Sequence, residues 1–175
     1  MPQRHSRSDG AIEGTAMYHI QVVACDVGDA VRFAGGWICD RVAAGFRVAI
    51  LTNGIADTRA ARIVGATVID LNAITAEGAG TLNLVSEPRT GEEQMRRHVR
   101  AVATRNSTGV TVWGGLYADI SRRGEVVHHR LSSAAYLFKG HALAATGFDG
   151  PVDVVETFHA RRHCRTPAGG AFFEP

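Results

Sequence analysis

The chain has 175 residues, 45% of them hydrophobic and 21% charged, with a formal net charge of +2. That length and balance suit one globular domain with a real core; the charge is too small to predict nucleic-acid or membrane binding, and no apolar run approaches the ~20 residues of a membrane span. Three cysteines, Cys25, Cys39 and Cys164, are odd in number and widely spaced, so they specify neither a disulfide framework nor a paired zinc motif, and a cytoplasmic, reducing setting is the expectation.

Residues 1–16 are polar, carry Arg4, His5 and Arg7, and lack the apolar stretch of a secretory signal; they read as a disordered leader. The domain is expected over 17–159. Ile20–Ala24 is a short apolar run suited to a buried parallel strand. After the loop Cys25–Asp29, a helical face runs through Val31, Phe33, Ala34, Trp37, Ile38, Arg41 and Val42 until Gly45 stops it. Phe46–Leu51 is a second strand, which completes a βαβ unit with a right-handed crossover. Asp57 can cap a short helix reaching Val64 and closed by Gly65. Thr67–Leu71 and Leu82–Val85 are the next strands. Thr90-Gly91-Glu92-Glu93 fits a capping box, with Met95, Val99 and Val102 at helical spacing behind it. Val110–Trp113 is a strand ending at Gly114-Gly115. Ser132 or Ser133 can cap a helix carrying Ala135, Phe138, Ala142 and Ala145, stopped by Gly147. Val152–Phe158 is the last strand, and 160–175 reads as a flexible tail. The alternation predicts a single-domain, Rossmann-like α/β layered fold, a mostly parallel sheet flanked by helices.

Open α/β sheets bind ligands beyond the carboxyl ends of their strands. That rule selects the loops Cys25–Ala30, Thr52–Asp57, Ser86–Thr90 and Trp113–Asp119, and with them the ligand-binding candidates Cys25, Asp26, Asp29, Thr52, Asn53, Trp113 and Gly114. Two acids before a helix oppose phosphate, because the helix N-terminus already serves as the anion site and the acids repel one there. They suit a cation, a hydroxyl-rich ligand, or capping alone, with Asp29 as the cap and Asp26 solvated. The same acids oppose a lowered Cys25 pKa, so an inert thiol is expected. Six residues separate Cys25 from Arg32, one more than a phosphatase loop allows, and no GxGxxG follows the first strand. Asp26 and Thr52 resemble the acid and hydroxyl of haloacid-dehalogenase phosphatases, but the second acid of that motif falls on Gly28. Trp37 and Trp113 read as core or pocket-wall residues, and Trp113, before two glycines that let a ligand approach the backbone, as the preferred ligand contact of the two.

A broader resemblance runs through residues 20–159. The acidic loop, Ala34-Gly35-Gly36, the helix to Gly45, Arg47-Val48 and Leu51-Thr52-Asn53-Gly54 resemble the opening of the LmbE/PIG-L family of zinc-dependent de-N-acetylases. Arg62-Ile63-Val64-Gly65-Ala66, Lys139 to Thr146 and Val155-Glu156-Thr157-Phe158 resemble its later helix end, its Lys-containing helix and its closing strand. The resemblance implies that Asp29 stands at a zinc-binding aspartate, the one metal ligand it assigns. It also implies that Gly28 replaces the catalytic aspartate and Asp26 a metal-binding histidine. The family's later histidine segment is replaced by Gly114-Gly115-Leu116-Tyr117-Ala118-Asp119. A catalytic zinc needs about three protein ligands and an open position, and hydrolysis needs a positioned base.

Three functions follow as expectations. The first is a small-molecule- or partner-binding protein on a de-N-acetylase-like scaffold without the metal-hydrolase chemistry, zinc being possible but not favoured. The second is a metal-dependent amide or ester hydrolase with a site rearranged from Asp26, Asp29 and one of His128, His129 or His159. His128 and His129, as neighbours on a strand, would point to opposite faces; His159 and His163 would make an i,i+4 helical pair if the Arg-rich tail is helical. The third is an interaction subunit of a homo- or hetero-oligomer, using the basic, Phe172-Phe173-containing tail.

Overall fold

A computed structural model describes residues 19–54, 58–73, 82–86, 97, 110–113 and 124–161. The elements are β1 (His19–Val23), α1 (Val27–Ala43), β2 (Arg47–Thr52), α2 (Arg59–Ile63), β3 (Thr67–Asp70), a 3-10 turn (Leu71–Ala73), β4 (Leu82–Ser86), β5 (Val110–Trp113), β6 (Gly124–Arg130), α3 (Ser133–Ala145) and β7 (Val155–Arg161). The strands form one sheet in the order β3-β2-β1-β4-β5-β7-β6. The first five are mutually parallel. β7 runs antiparallel to both its neighbours.

The mostly parallel, helix-flanked sheet is the architecture expected from the sequence, and its strand order reverses beside β1. The chain steps from β1 outward to β2 and β3, then returns to place β4 on the other side of β1. The β1 and β4 ends thus flank a topological switch point, the usual crevice of such sheets.

Several boundaries move, each for a local reason. α1 starts at Val27, one turn before its expected apolar face, because Asp26 caps it: the Asp29 amide donates to Asp26 Oδ1 at 2.7 Å. The expectation that Asp29 caps and Asp26 is merely solvated is therefore corrected. α2 has Thr58 in the cap position, with no side-chain cap bond; Asp57 lies outside the described residues. The capping-box helix at 90–102 also lies outside them, apart from Arg97, which is helical. Ser132 is the α3 cap, its hydroxyl accepting from the Ala135 amide at 3.1 Å. Gly45 (φ 92°) and Gly147 (φ 80°) follow α1 and α3 in the left-handed conformation that glycine tolerates. β6 has no counterpart among the expected strands. β7 begins at Val155, not Val152, and reaches Arg161, into the segment expected to be irregular. Val152 instead lies against Gly140 of α3, and the Val154 carbonyl accepts from Leu131 ahead of α3.

One core cluster joins Ile20, Val22, Val48 and Ile50 of the sheet to Ala30, Val31, Ala34, Trp37 and Ile38 of α1, with Leu143 of α3 and Phe158 of β7. Within it sits a buried ion pair. Lys139 Nζ donates to Glu156 Oε1 at 2.7 Å, and both residues are at most 3% exposed. The same carboxylate accepts from the Gly36 amide at 2.9 Å and the Trp37 amide at 2.8 Å, in the middle of α1. A regular helix commits such amides to carbonyls four residues back. Glu156 thus draws α1, α3 and β7 to one point. It also turns α3: Lys139, with Ala135, Ala142 and Leu143, faces inward, and Phe138, expected in the core, is 49% exposed.

Candidate functional site

The strand ends gather some of the expected site residues and bury others. Ala24 continues β1, its amide donating to the Leu51 carbonyl at 3.0 Å, and the chain then turns through half-buried Cys25 to exposed Asp26. Cys25 and Cys39 are thiols outside any disulfide. Asp29 is half-buried in the first turn of α1, where its negative charge complements the helix dipole. A Cβ added at Gly28 would meet Asp26 Oδ1 at 3.1 Å and Thr146 Cγ2 at 3.8 Å. The capping carboxylate therefore already crowds the space a side chain at position 28 would need.

The mouth of β2 is tied by a hydrogen-bond network. Buried Thr52 donates through Oγ1 to the Gly54 carbonyl at 2.7 Å. Asp70, at the end of the neighbouring strand, accepts from the Gly54 amide at 3.3 Å and from the Asn72 amide and side chain at 2.9 and 2.8 Å. The Asn72 amide and side chain, with the Gly54 amide, hold the Asp70 carboxyl below its ordinary range. Asn53 stands exposed at the tip. Asp70 escaped the sequence reading, although an acid at the carboxyl end of a strand beside a mouth loop was its available signal.

Trp113 is only 2% exposed and belongs to the core cluster. Its expected role as a ligand-facing wall is corrected to a core role, because odd-numbered positions at the end of β5 face the α1 side of the sheet. Its indole Nε1 is buried with no hydrogen-bond partner among the described residues. Gly114 lies outside the described residues.

The histidines offered for a rearranged metal site lie elsewhere. His129 Nε2 is 2.8 Å from Asp40 Oδ2. Asp40 is eleven positions beyond Asp29 on α1, roughly 16 Å along the axis at ~1.5 Å per residue. Asp40 also accepts from the Ser132 hydroxyl at 2.6 Å, so this carboxylate serves the entry to α3. His128 faces the other way, 3.1 Å from Thr157 Oγ1, in the alternation a strand imposes. His159 shares that face, since Val126 pairs with His159 and His128 with Thr157. Its place in β7 removes the helical spacing to His163, which lies outside the described residues. Among the described residues, no three His, Cys, Asp or Glu side chains converge as metal ligands do, and Asp26 Oδ1 at the β1 mouth is engaged by the Asp29 amide.

Burial pushes the Glu156 carboxyl above its ordinary range, and the Lys139 charge and hydrogen bond with the two α1 amides pull it partly back. No helix of the described residues is long and apolar enough to cross a membrane.

The class this geometry defines is a Rossmann-like α/β domain with a distant resemblance to the LmbE/PIG-L-like deacetylases. Among solved structures, the chain resembles a deacetylase of teicoplanin biosynthesis (TM-score 0.61, 10% identity, 81% of this chain and 97% of that one). It also resembles the A40926 pseudoaglycone deacetylase Dbv21 (TM-score 0.60, 14% identity, 84% and 98%). A third match is GalB, the 4-carboxy-2-hydroxymuconate hydratase of Pseudomonas putida KT2440 (TM-score 0.52, 12% identity, 89% and 100%). No protein-family profile and no curated protein sequence matches the chain.

Proposed function

We propose that this protein binds a small molecule or a partner at the β1–β2 mouth of a deacetylase-like fold, without the zinc hydrolase chemistry of that fold. The observation that carries this reading is the use of Asp26. The residue standing where the family has a metal-binding histidine is spent as the N-cap of α1, and Gly28 supplies no base beside it. The matched proteins include deacetylases and a hydratase, so the scaffold hosts more than one chemistry and the site must decide. The residues this reading assigns to the ligand are Asp26, Asp29 and Asn53, beside the hydrogen-bonded Thr52, Gly54 and Asp70. Two carboxylates and an amide would make such a mouth acceptor-rich, which suits a hydroxyl-rich or cationic ligand better than an anion.

Metal analysis of the purified full chain, followed by titration with zinc, tests the reading. The expected result is substoichiometric zinc, with no calorimetric binding that an Asp29→Asn substitution removes. Stoichiometric zinc lost on that substitution would favour the second reading, a metal-dependent amide or ester hydrolase.

A further inference from the structure

The outward face of α3 is apolar where a solvent-facing helix is ordinarily charged. Leu137 is 61% exposed and Phe138 49%; Ala134, His141 and Ala144 are exposed and Ala145 is half-buried along the same side. These positions follow the three- and four-residue spacing of a helix–helix seam. The helix contains no Asp, Glu or Arg, and Lys139 points into the core. Since Ala135, Lys139, Ala142 and Leu143 already fill the inward side, the stripe is a second apolar face, of the kind that marks an interaction surface.

We propose that α3 is the seam of a two-fold dimer, packed antiparallel against α3 of a second copy. The distribution of bulk selects a second copy. Leu137 and Phe138 occupy the first half of the helix and Ala144 and Ala145 its end, so an antiparallel pair sets large side chains on small ones at both ends, as an isologous interface requires. Charge agrees with this arrangement. Exposed Arg130 leads into α3 and exposed Asp149 follows it, and the antiparallel pair brings Arg130 of each copy to Asp149 of the other. Helix dipoles also oppose one another in that geometry. The area sets the strength. A helix of 13 residues spans roughly 20 Å, and its seam falls short of the ~800 Å² per partner of a standard interface, so the dimer is reversible and concentration-dependent.

Sedimentation equilibrium of the full chain over a wide concentration range tests the proposal. The wild type is expected to show a monomer–dimer equilibrium. Leu137→Glu places a charge in the seam twice and is expected to raise the dissociation constant roughly a hundredfold or more, while thermal unfolding of the exposed-site variant at low concentration stays near that of the wild type. Arg130→Glu and Asp149→Arg should each weaken the dimer, and the double variant should restore it. A chain ending at Arg161 should keep the dimer. A wild type that stays monomeric, a dimer indifferent to Leu137→Glu, or a double variant that fails to recover would overturn the proposal. So would a dimer lost on truncation at Arg161, which would assign the contact to the tail.

Discussion

Glu156 shows how much one side chain can be asked to hold. Its carboxylate joins a lysine on α3 to two amides on α1, and none of the three contacts is local in sequence. Removing the lysine charge leaves a buried carboxylate without its counterion, a change that typically costs about 3–5 kcal/mol. Lys139→Met is therefore expected to destabilise the domain by that order, measured by urea unfolding at neutral pH. The pH dependence has a definite sign. Because burial raises the folded-state pKa above the ordinary 4.5, the native state holds this proton where the unfolded state has released it. The contribution of Glu156 to stability is then greatest at low pH and declines as pH rises from about 4.5 toward the raised value. Stability measured against pH for the wild type and for Glu156→Gln should differ in slope over that interval; parallel curves would refute the assignment. The sequence shows a lysine among apolar residues of a helix and a glutamate in a closing strand, both within the family-like segments. Nothing in either segment says that the two meet, because their pairing depends on the sheet placing β7 under α1.

α1 carries most of what was readable in advance at the level of whole elements. Its apolar face, the glycine that ends it and the strand that follows were all legible, since each rests on short-range periodicity and backbone chemistry. Its start was not. Two aspartates compete for the cap, and only the observed bond from the Asp29 amide to Asp26 decides between them. The role of Gly36 was equally hidden. A Cβ there would lie 2.3 Å from Leu131 Cδ2 and Cγ, so this glycine is what lets α1 seat against the chain entering α3. Gly36→Ala should cost about 1–3 kcal/mol by overpacking, despite alanine's better helix propensity. Chemical denaturation of Gly36→Ala, Leu131→Ala and the double variant would check this. A positive coupling, with the double variant less damaged than the sum of the singles, is expected; strict additivity would refute the contact. The candidate site divides along the same line. Asp26, Asp29, Thr52 and Asn53 follow from strand ends, whereas Asp70 enters only because β3 lies beside β2, and Trp113 leaves because its face of β5 is the buried one.

The parallel half of the sheet could be inferred from alternation alone, and the antiparallel end could not. β6 spans seven residues but bears two histidines and an exposed Val126, and lacks the continuous apolar run that marks a buried strand. Its place is fixed by β7, which lies between β5 and β6. Removing β7 would separate β6 from the sheet, unpair Lys139 and withdraw Phe158 from the core. A chain ending at Val154 is accordingly expected to lose cooperative thermal unfolding, followed by circular dichroism, whereas one ending at Arg161 retains it. The position of β7 also bears on synthesis. A ribosome releases β5 and β6 before the strand that must enter between them, so both wait with an open edge until α3 and then β7 have emerged. Such edges invite pairing with other chains, and closing the sheet requires late, non-local contacts that fold slowly. The interval in which this protein is most exposed to aggregation is therefore built into its strand order, and it ends only when Glu156 reaches the middle of α1.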